Sequence, residues 1–230
     1  MRTPTIAMRA VLACSALAAG LSGCSESSPA PADRSAGQLL DDANRTMSAL
    51  SSVTMDTTGA SVGGSHTSHM TTDRKSKCKN RTTWADGGTL EQIRIDDTDY
   101  VRPDAAYLKK AGHGMAEAQT RWAKTPASSA KPGDGLASCP YPFTSFGEAI
   151  KGNRVAVSGR KAIEVVVHDR ADRDGQYTFT VAAEGKPYIL KVLYKSTDRE
   201  TTTSFSGFDE PLAIRPPAAA DVVDGAVTPQ

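Results

Sequence analysis

The sequence predicts an α+β fold: one antiparallel sheet of about ten short strands, with two or three short helices covering one face. Three observations predict it. Val, Ile, Thr and Tyr alternate with polar residues in short runs over most of the chain. Turn signals fall between those runs at Gly63-Gly64, Asp86-Gly87-Gly88, Asp174-Gly175 and Glu184-Gly185. A clear helical stripe, at Leu39, Leu40, Ala43, Met47 and Leu50, occurs near the start. Strands with one apolar and one Thr-rich or charged face belong to a sheet that is wet on one side and covered on the other.

The chain has 230 residues, with 27 Lys+Arg against 26 Asp+Glu and 39% hydrophobic residues. That balance excludes a collagen, a coiled coil and a wholly disordered chain, and gives no basic surplus for nucleic acid. Arg2 and Arg9 precede a short apolar stretch from Ala10 to Gly20, too short to span a bilayer and typical of a secretory leader. It ends in Leu21-Ser22-Gly23-Cys24, which resembles the bacterial lipobox. The resemblance implies cleavage before Cys24, acylation of its thiol and stable anchoring by two or three chains. Cleavage would remove two arginines and no acid, moving the formal charge from +1 to −1, so the membrane contact expected is the lipid rather than charge.

The expected organisation is a leader over 1–23, lipidated Cys24 with a flexible Ser/Pro/Ala tether over 24–34, a single domain over 35–218 and a loose tail over 219–230. Cys14 leaves with the leader and Cys24 is acylated, so Cys78 and Cys139 remain in an oxidising compartment and are expected to pair. A metal site with His66 and His69 is disfavoured, because residues three apart in an extended stretch point to opposite faces.

Along the domain, Ser35 and Gln38 have capping-box spacing at the start of the first helix. From Val53 the period changes to two. Strands follow near Val53–Thr57, Ser65–Asp73, Cys78–Trp84, Leu90–Ile95 and Tyr100–Val101. Asp104 can cap a short helix through Leu108, Trp122 lies in an extended stretch, and residues 126–138 read as a surface loop. Ser145 to Ile150 read as a helical turn or two. A meander then runs through Val155, Ile163–Val167, Tyr177–Val181, Tyr188–Tyr194 and Thr203–Phe205, and Pro216-Pro217 ends strand pairing.

No motif carries catalytic chemistry. Gly63-Gly64-Ser65-His66-Thr67 lacks the last glycine of a nucleophile elbow, and the two Ser-x-x-Lys hits, at Ser128 and Ser158, fit a degenerate pattern. No zinc-protease, phosphate-loop or dinucleotide fingerprint occurs. Asp169, Asp172 and Asp174 read as a solvated turn, as do Asp96, Asp97 and Asp99. His168 reads as structural, and Trp84 and Trp122 as core plugs. No cofactor is implied.

The order GQLLDDANRTMSAL, SSVTMDTTG, KCKNRTTW, IRIDDTDYVRPDAAYLKK, RWAKTP, VSGRKAIEVVVHD, GQYTFTV, GKPYILKV and FSGFDEPLAIRPPAAADVVD resembles the LppX/LprG-type envelope lipoproteins, which share the LolA-like fold, over roughly residues 35–224. The resemblance implies a curved half-barrel with helices on its concave face, no enzymatic activity, and acyl chains as the class of ligand held between sheet and helices. Strand alternation and the helical stripe select the residues expected to line such a space: Leu40, Met47 and Leu50 from the helix, Phe179 and Val181, and Tyr188, Leu190, Val192 and Tyr194 from one strand. The competing expectation is a membrane-tethered interaction module whose core is closed. The sequence names no protein partner.

Overall fold

The computed structural model describes residues 33–110, 121–129, 135–144, 147–168 and 174–224. Cys24, the leader and nearly all of the tether lie outside the described residues, as do Asp169 and Asp172. The described chain is an α+β domain built on one strongly curved, unclosed antiparallel sheet of 12 strands.

The strands are β1 (Val53–Ser61), β2 (Gly64–Thr72), β3 (Lys77–Trp84), β4 (Thr89–Ile95), β5 (Thr98–Pro103), β6 (Trp122–Pro126), β7 (Glu148–Val157), β8 (Arg160–His168), β9 (Gln176–Ala182), β10 (Ile189–Lys195), β11 (Arg199–Ser206) and β12 (Val222–Asp224). Their order across the sheet is β12-β6-β5-β4-β3-β2-β1-β11-β10-β9-β8-β7. Neighbours that follow one another in sequence form two meanders, β1 to β6 and β7 to β11. They meet at the β1–β11 ladder, where Thr54 to Ser61 pair with Ser206 to Arg199.

Two expectations need correction. Glu148 to Ile150 are strand, not helix: they pair with His168 to Val166, and with only Ala149 and Ile150 apolar among these three residues the stretch is too short for a helical face. The segment from 219 is not wholly loose. A 3₁₀ turn at Ala219–Asp221 leads into β12, which pairs in parallel with β6 through Val222 and Trp122. A three-residue strand is below the length at which alternation can be read.

The first helix, α1 (Ala36–Ser48), starts at Ser35. The Ser35 hydroxyl accepts from the Gln38 N–H at 3.2 Å, and the Gln38 side chain accepts from the Ser35 N–H at 2.9 Å. Its stripe of Leu39, Leu40, Ala43 and Met47 lies on the concave face against β7 to β10, packing with Val53, Met55, Ile163, Val165, Val181 and Ile189. At the far end, Arg74 holds the helix C-terminus. Its Nη1 donates to the carbonyls of Met47 (2.8 Å), Ser48 (2.6 Å) and Leu50 (3.1 Å), and its guanidinium lies 5.0 Å from the centre of the Phe143 ring. These carbonyls include orphans of the last turn, where the helix dipole is negative.

The other half of the concave face is covered differently. A 3₁₀ turn, Gly135–Ser138, carries fully buried Leu136 onto β3 and β4. A Cys78–Cys139 disulfide fixes it there, with the Cα atoms 5.7 Å apart. The Thr72 hydroxyl donates to the Cys139 carbonyl at 2.6 Å, and Arg94 Nη1 to the Leu136 carbonyl at 3.1 Å. Approach is so close at Gly135 that a side chain there would collide with the Asn80 amide and Gln92.

Candidate functional site: the concave trough

Ladder register assigns each concave residue to a row across the sheet. Consider as lower the end where β1 begins, and as upper the end at the β1–β2 hairpin. The lower row runs Ile163, Val181, Ile189 on one meander and Met55, Met70, Asn80, Gln92 on the other. All seven are buried. Leu39, Met47, Val165 and Val181 each have 0% exposure. A side chain with none borders no water-sized space, inside or outside the protein, so the junction between α1 and the sheet is packed shut there.

The lower row is also where the covered face turns polar. Asn80 and Gln92 are 1% and 2% exposed and bond to each other, Asn80 Nδ2 donating to Gln92 Oε1 at 3.2 Å. The Ser68 hydroxyl donates to Asn80 Oδ1 at 2.6 Å. Beside them Arg94 grips Asp99 with two parallel bonds of 2.7 Å. Buried polar groups survive because each is paired, and the two-pronged Arg–carboxylate geometry is the strongest such pair.

Burial loosens towards the upper end. The middle row runs Val165, Phe179, Val192, Thr203, Thr57, Ser68, Thr82 and Leu90 from β8 to β4. The upper row runs Tyr177, Tyr194, Thr201, Gly59, His66 and Trp84. From Val192 to Leu90 the middle row is half-buried, and so are Tyr177, Tyr194, Thr201, His66 and Trp84. This is a shallow trough. Its floor is mainly hydroxyl, and its ends are aromatic. Tyr177 and Tyr194 pack at 4.8 Å between ring centres at one end, Trp84 and Tyr107 at 5.1 Å at the other. Tyr107 comes from the second helix, α2 (Ala105–Lys110), whose start is held by Asp104 Oδ1 accepting from the Tyr107 N–H at 2.7 Å. Between the ends the His66 imidazole lies directly over Gly59, in space that any other residue at 59 would fill. Tyr141 borders the closed part, its ring 5.9 Å from Phe205, and burial with nearby Tyr177 pushes its phenol above the usual range, so it stays protonated.

The residues expected to line a space separate into groups. Leu40, Met47, Leu50, Phe179 and Val181 join the closed core, and Val192 packs on its edge. Tyr194 lies in the half-exposed upper row. Leu190 and Tyr188 need correction. A bulge between Ile189 and Lys191 inserts one residue into β10, so Ile189 faces the core and Leu190 the convex side. Leu190 packs there with Ala162 and Ala182. Tyr188 stacks flat on Phe208, 4.2 Å between centres, and touches both clusters. Leu190→Ala is therefore expected to cost about 2 kcal/mol in urea unfolding, the low end for a buried leucine, and to leave trough binding unchanged. Altered ligand uptake by that variant would place Leu190 on the wrong face.

Trp122 is buried on the convex side, with the Arg102 guanidinium 4.6 Å from its ring centre, whereas Trp84 is half-buried and faces the trough. The hydroxyl floor escaped the sequence reading, although its signal was the same alternation that placed Val53, Met55 and Thr57 together.

No protein family matches the chain by sequence, and no curated protein does either. Solved structures match its fold. LprF from Mycobacterium bovis aligns with a TM-score of 0.56 and 13% identity, covering 80% of this chain and 97% of that one. The lipoprotein LppX from Mycobacterium tuberculosis aligns at 0.52 and 11%, covering 78% and 99%. At such identities the likeness is one of fold.

Proposed function

We propose that this chain is a non-enzymatic binding lipoprotein of the cell envelope, tethered to the extracytoplasmic face of the membrane by a lipid on Cys24, with an apolar or amphiphilic ligand held in the concave trough. The observation that carries the reading is the gradient of closure: sealed core at the lower end, half-exposed concave surface between aromatic pairs at the upper end. The lipobox-like leader and the resemblance to envelope lipoproteins support the anchor and the class of ligand. A second reading, an interaction module with no ligand, draws on the packed-shut contact between α1 and the sheet.

Native mass spectrometry of chain 25–230, exported without its lipid, separates the two. A bound amphiphile mass, or uptake of an added dodecyl amphiphile, is the expected result. A clean apo mass with no uptake removes the binding reading. The tether has its own test: Cys24→Ser is expected to leave the protein unprocessed or release it to the medium, because a formal charge of −1 after cleavage offers no electrostatic hold on an anionic surface. Recovery of a processed Cys24→Ser protein wholly with membranes would contradict lipid anchoring.

A further inference from the structure

β7 is an edge strand, paired on one side only, and its alternation is inverted. Ladder register puts Lys151 and Arg154 on the concave side, opposite the core residues Val165 and Ile163. It turns Ile150, Val155 and Val157 to the convex side, opposite Val166, Ala162 and Arg160. Elsewhere the convex face is polar, with Asp56 and Thr58 on β1, Thr67 and His69 on β2, and Arg81 and Thr83 on β3. Ile150 is 53% exposed, one of two large apolar side chains so open among the described residues. Further along the strand, half-buried Val155 and Val157 join Tyr188 and Phe208 over the small convex cluster of Ala162, Ala182 and Leu190. The Arg160 guanidinium lies 5.6 Å from the centre of the Tyr188 ring, and Lys186 is exposed in the turn before it. Glu164, half-buried, is the acid that β8 adds to this face. Aliphatic side chains and a tyrosine flanked by cations suit the headgroup layer of a membrane, where water meets hydrocarbon.

The point at which the tether joins the domain says what covers this corner. The Arg34 carbonyl accepts from Lys151 Nζ at 2.7 Å, and Arg34 borders the same surface hollow as Pro187, the neighbour of Tyr188. From Cys24 to Arg34 an extended chain reaches about 35 Å at most, so the β7 edge is held close to any bilayer that takes the lipid. A second copy of the chain fits less well. The bulge between Lys151 and Arg154, and those two charges, are devices that keep an edge strand from pairing. The tether also sets how strong the contact has to be. A patch of this size does not hold a free chain of formal charge −1. A tether this short raises the local concentration of bilayer surface to roughly the millimolar range, where a weak contact is populated.

We propose that the β7 corner, through Ile150, Val155, Val157 and Tyr188 with Arg160 and Lys186, rests on the anionic headgroup layer of the membrane that holds Cys24. This rests on the lipid-anchor reading above and adds to it the face that the domain turns to the bilayer. The test uses the full acylated protein on vesicles of phosphatidylcholine with phosphatidylglycerol, carrying a nitroxide on Ser158→Cys in the β7–β8 turn or, in a second protein, on Thr67→Cys. Cys78 and Cys139 are bridged and Cys24 is acylated, so the label reaches only the added thiol. Relative to unlipidated chain 25–230 in solution, the Ser158 label is expected to lose about threefold in contact with a water-soluble relaxant, as for a group in the headgroup region, and the Thr67 label to lose none. Arg160→Glu/Lys186→Glu and, separately, Ile150→Ser are expected to restore the contact at Ser158 while the protein still floats with the vesicles. All three positions are exposed, so neither variant opens the core. Full water access at Ser158 on a protein that floats overturns the patch and leaves the anchor standing. Equal shielding of Ser158 and Thr67 overturns the orientation. Shielding that persists in both variants overturns its placement on these residues. A mature chain with no lipid on Cys24 overturns the anchor and this contact together.

Discussion

Replacing Cys78 and Cys139 together by alanine is expected to lower stability by about 4 kcal/mol, the chain-entropy cost of freeing a loop of this size. The two cysteines are 61 residues apart in sequence, and both side chains are fully buried. The local consequence is as specific as the global one. Leu136 and the Cys139 carbonyl are held on the sheet by this bond, by Arg94 and by Thr72. Without the covalent link the two hydrogen bonds must retain the turn against its conformational entropy. Limited proteolysis should then cut near 135–139 before the rest of the domain opens, and the urea midpoint should fall. A loss below about 1 kcal/mol would mean that strain or residual structure in the unfolded chain offsets the bridge.

Arg74→Ala is expected to cost about 3 kcal/mol, summing lost charge-assisted hydrogen bonds and the contact with Phe143. One guanidinium nitrogen serves three carbonyls at the end of α1, and water would have to replace it at a partly buried site. Arg74→Lys should recover only part, since a compact ammonium lacks the planar fork and its reach. Arg74 also has a φ of +59°, in a turn where Asp73 Oδ1 accepts from the N–H groups of Lys75, Ser76 and Lys77. Glycine relieves that backbone strain, so Arg74→Gly should be about 1 kcal/mol less damaging than Arg74→Ala. If Gly and Ala are equal, or Lys is fully competent, the cap does not work as described. Thermal unfolding of the three variants decides it.

Much of the fold was legible because local chemistry and global fold agree. Ser35 and Gln38 announce the start of α1, and its stripe follows the helical period through Met47. Gly63-Gly64 sits in the β1–β2 hairpin, and Asp104 does cap α2. What failed to show depends on neighbours distant in sequence. The bulge after Ile189 is set by pairing with β9, and nothing in YILKVLY marks the residue at which parity changes. On β4, Ile93 and Gln92 lie on opposite faces, and the polar set, Gln92 and Arg94, points under the disulfide-linked turn while Ile93 is buried on the convex side. Hydropathy alone puts them the other way round. Arg74 reads as one cation among several in DRKSKCK, and its task appears only when the turn after β2 meets the end of α1.

The order of strands has a kinetic consequence. Nine of the ladders among the described residues join strands that follow one another in sequence; the exceptions are β1 with β11 and β6 with β12. Each meander can therefore zip up from its own turns, closing short loops at small entropic cost. The β1–β11 ladder cannot, since Thr57 meets Thr203 across 146 residues. The search for that seam should set the folding rate, with both wings assembled before it closes. Changes within a wing hairpin should then act chiefly on unfolding, whereas weakening the seam around Met55 and Phe205 should slow refolding itself.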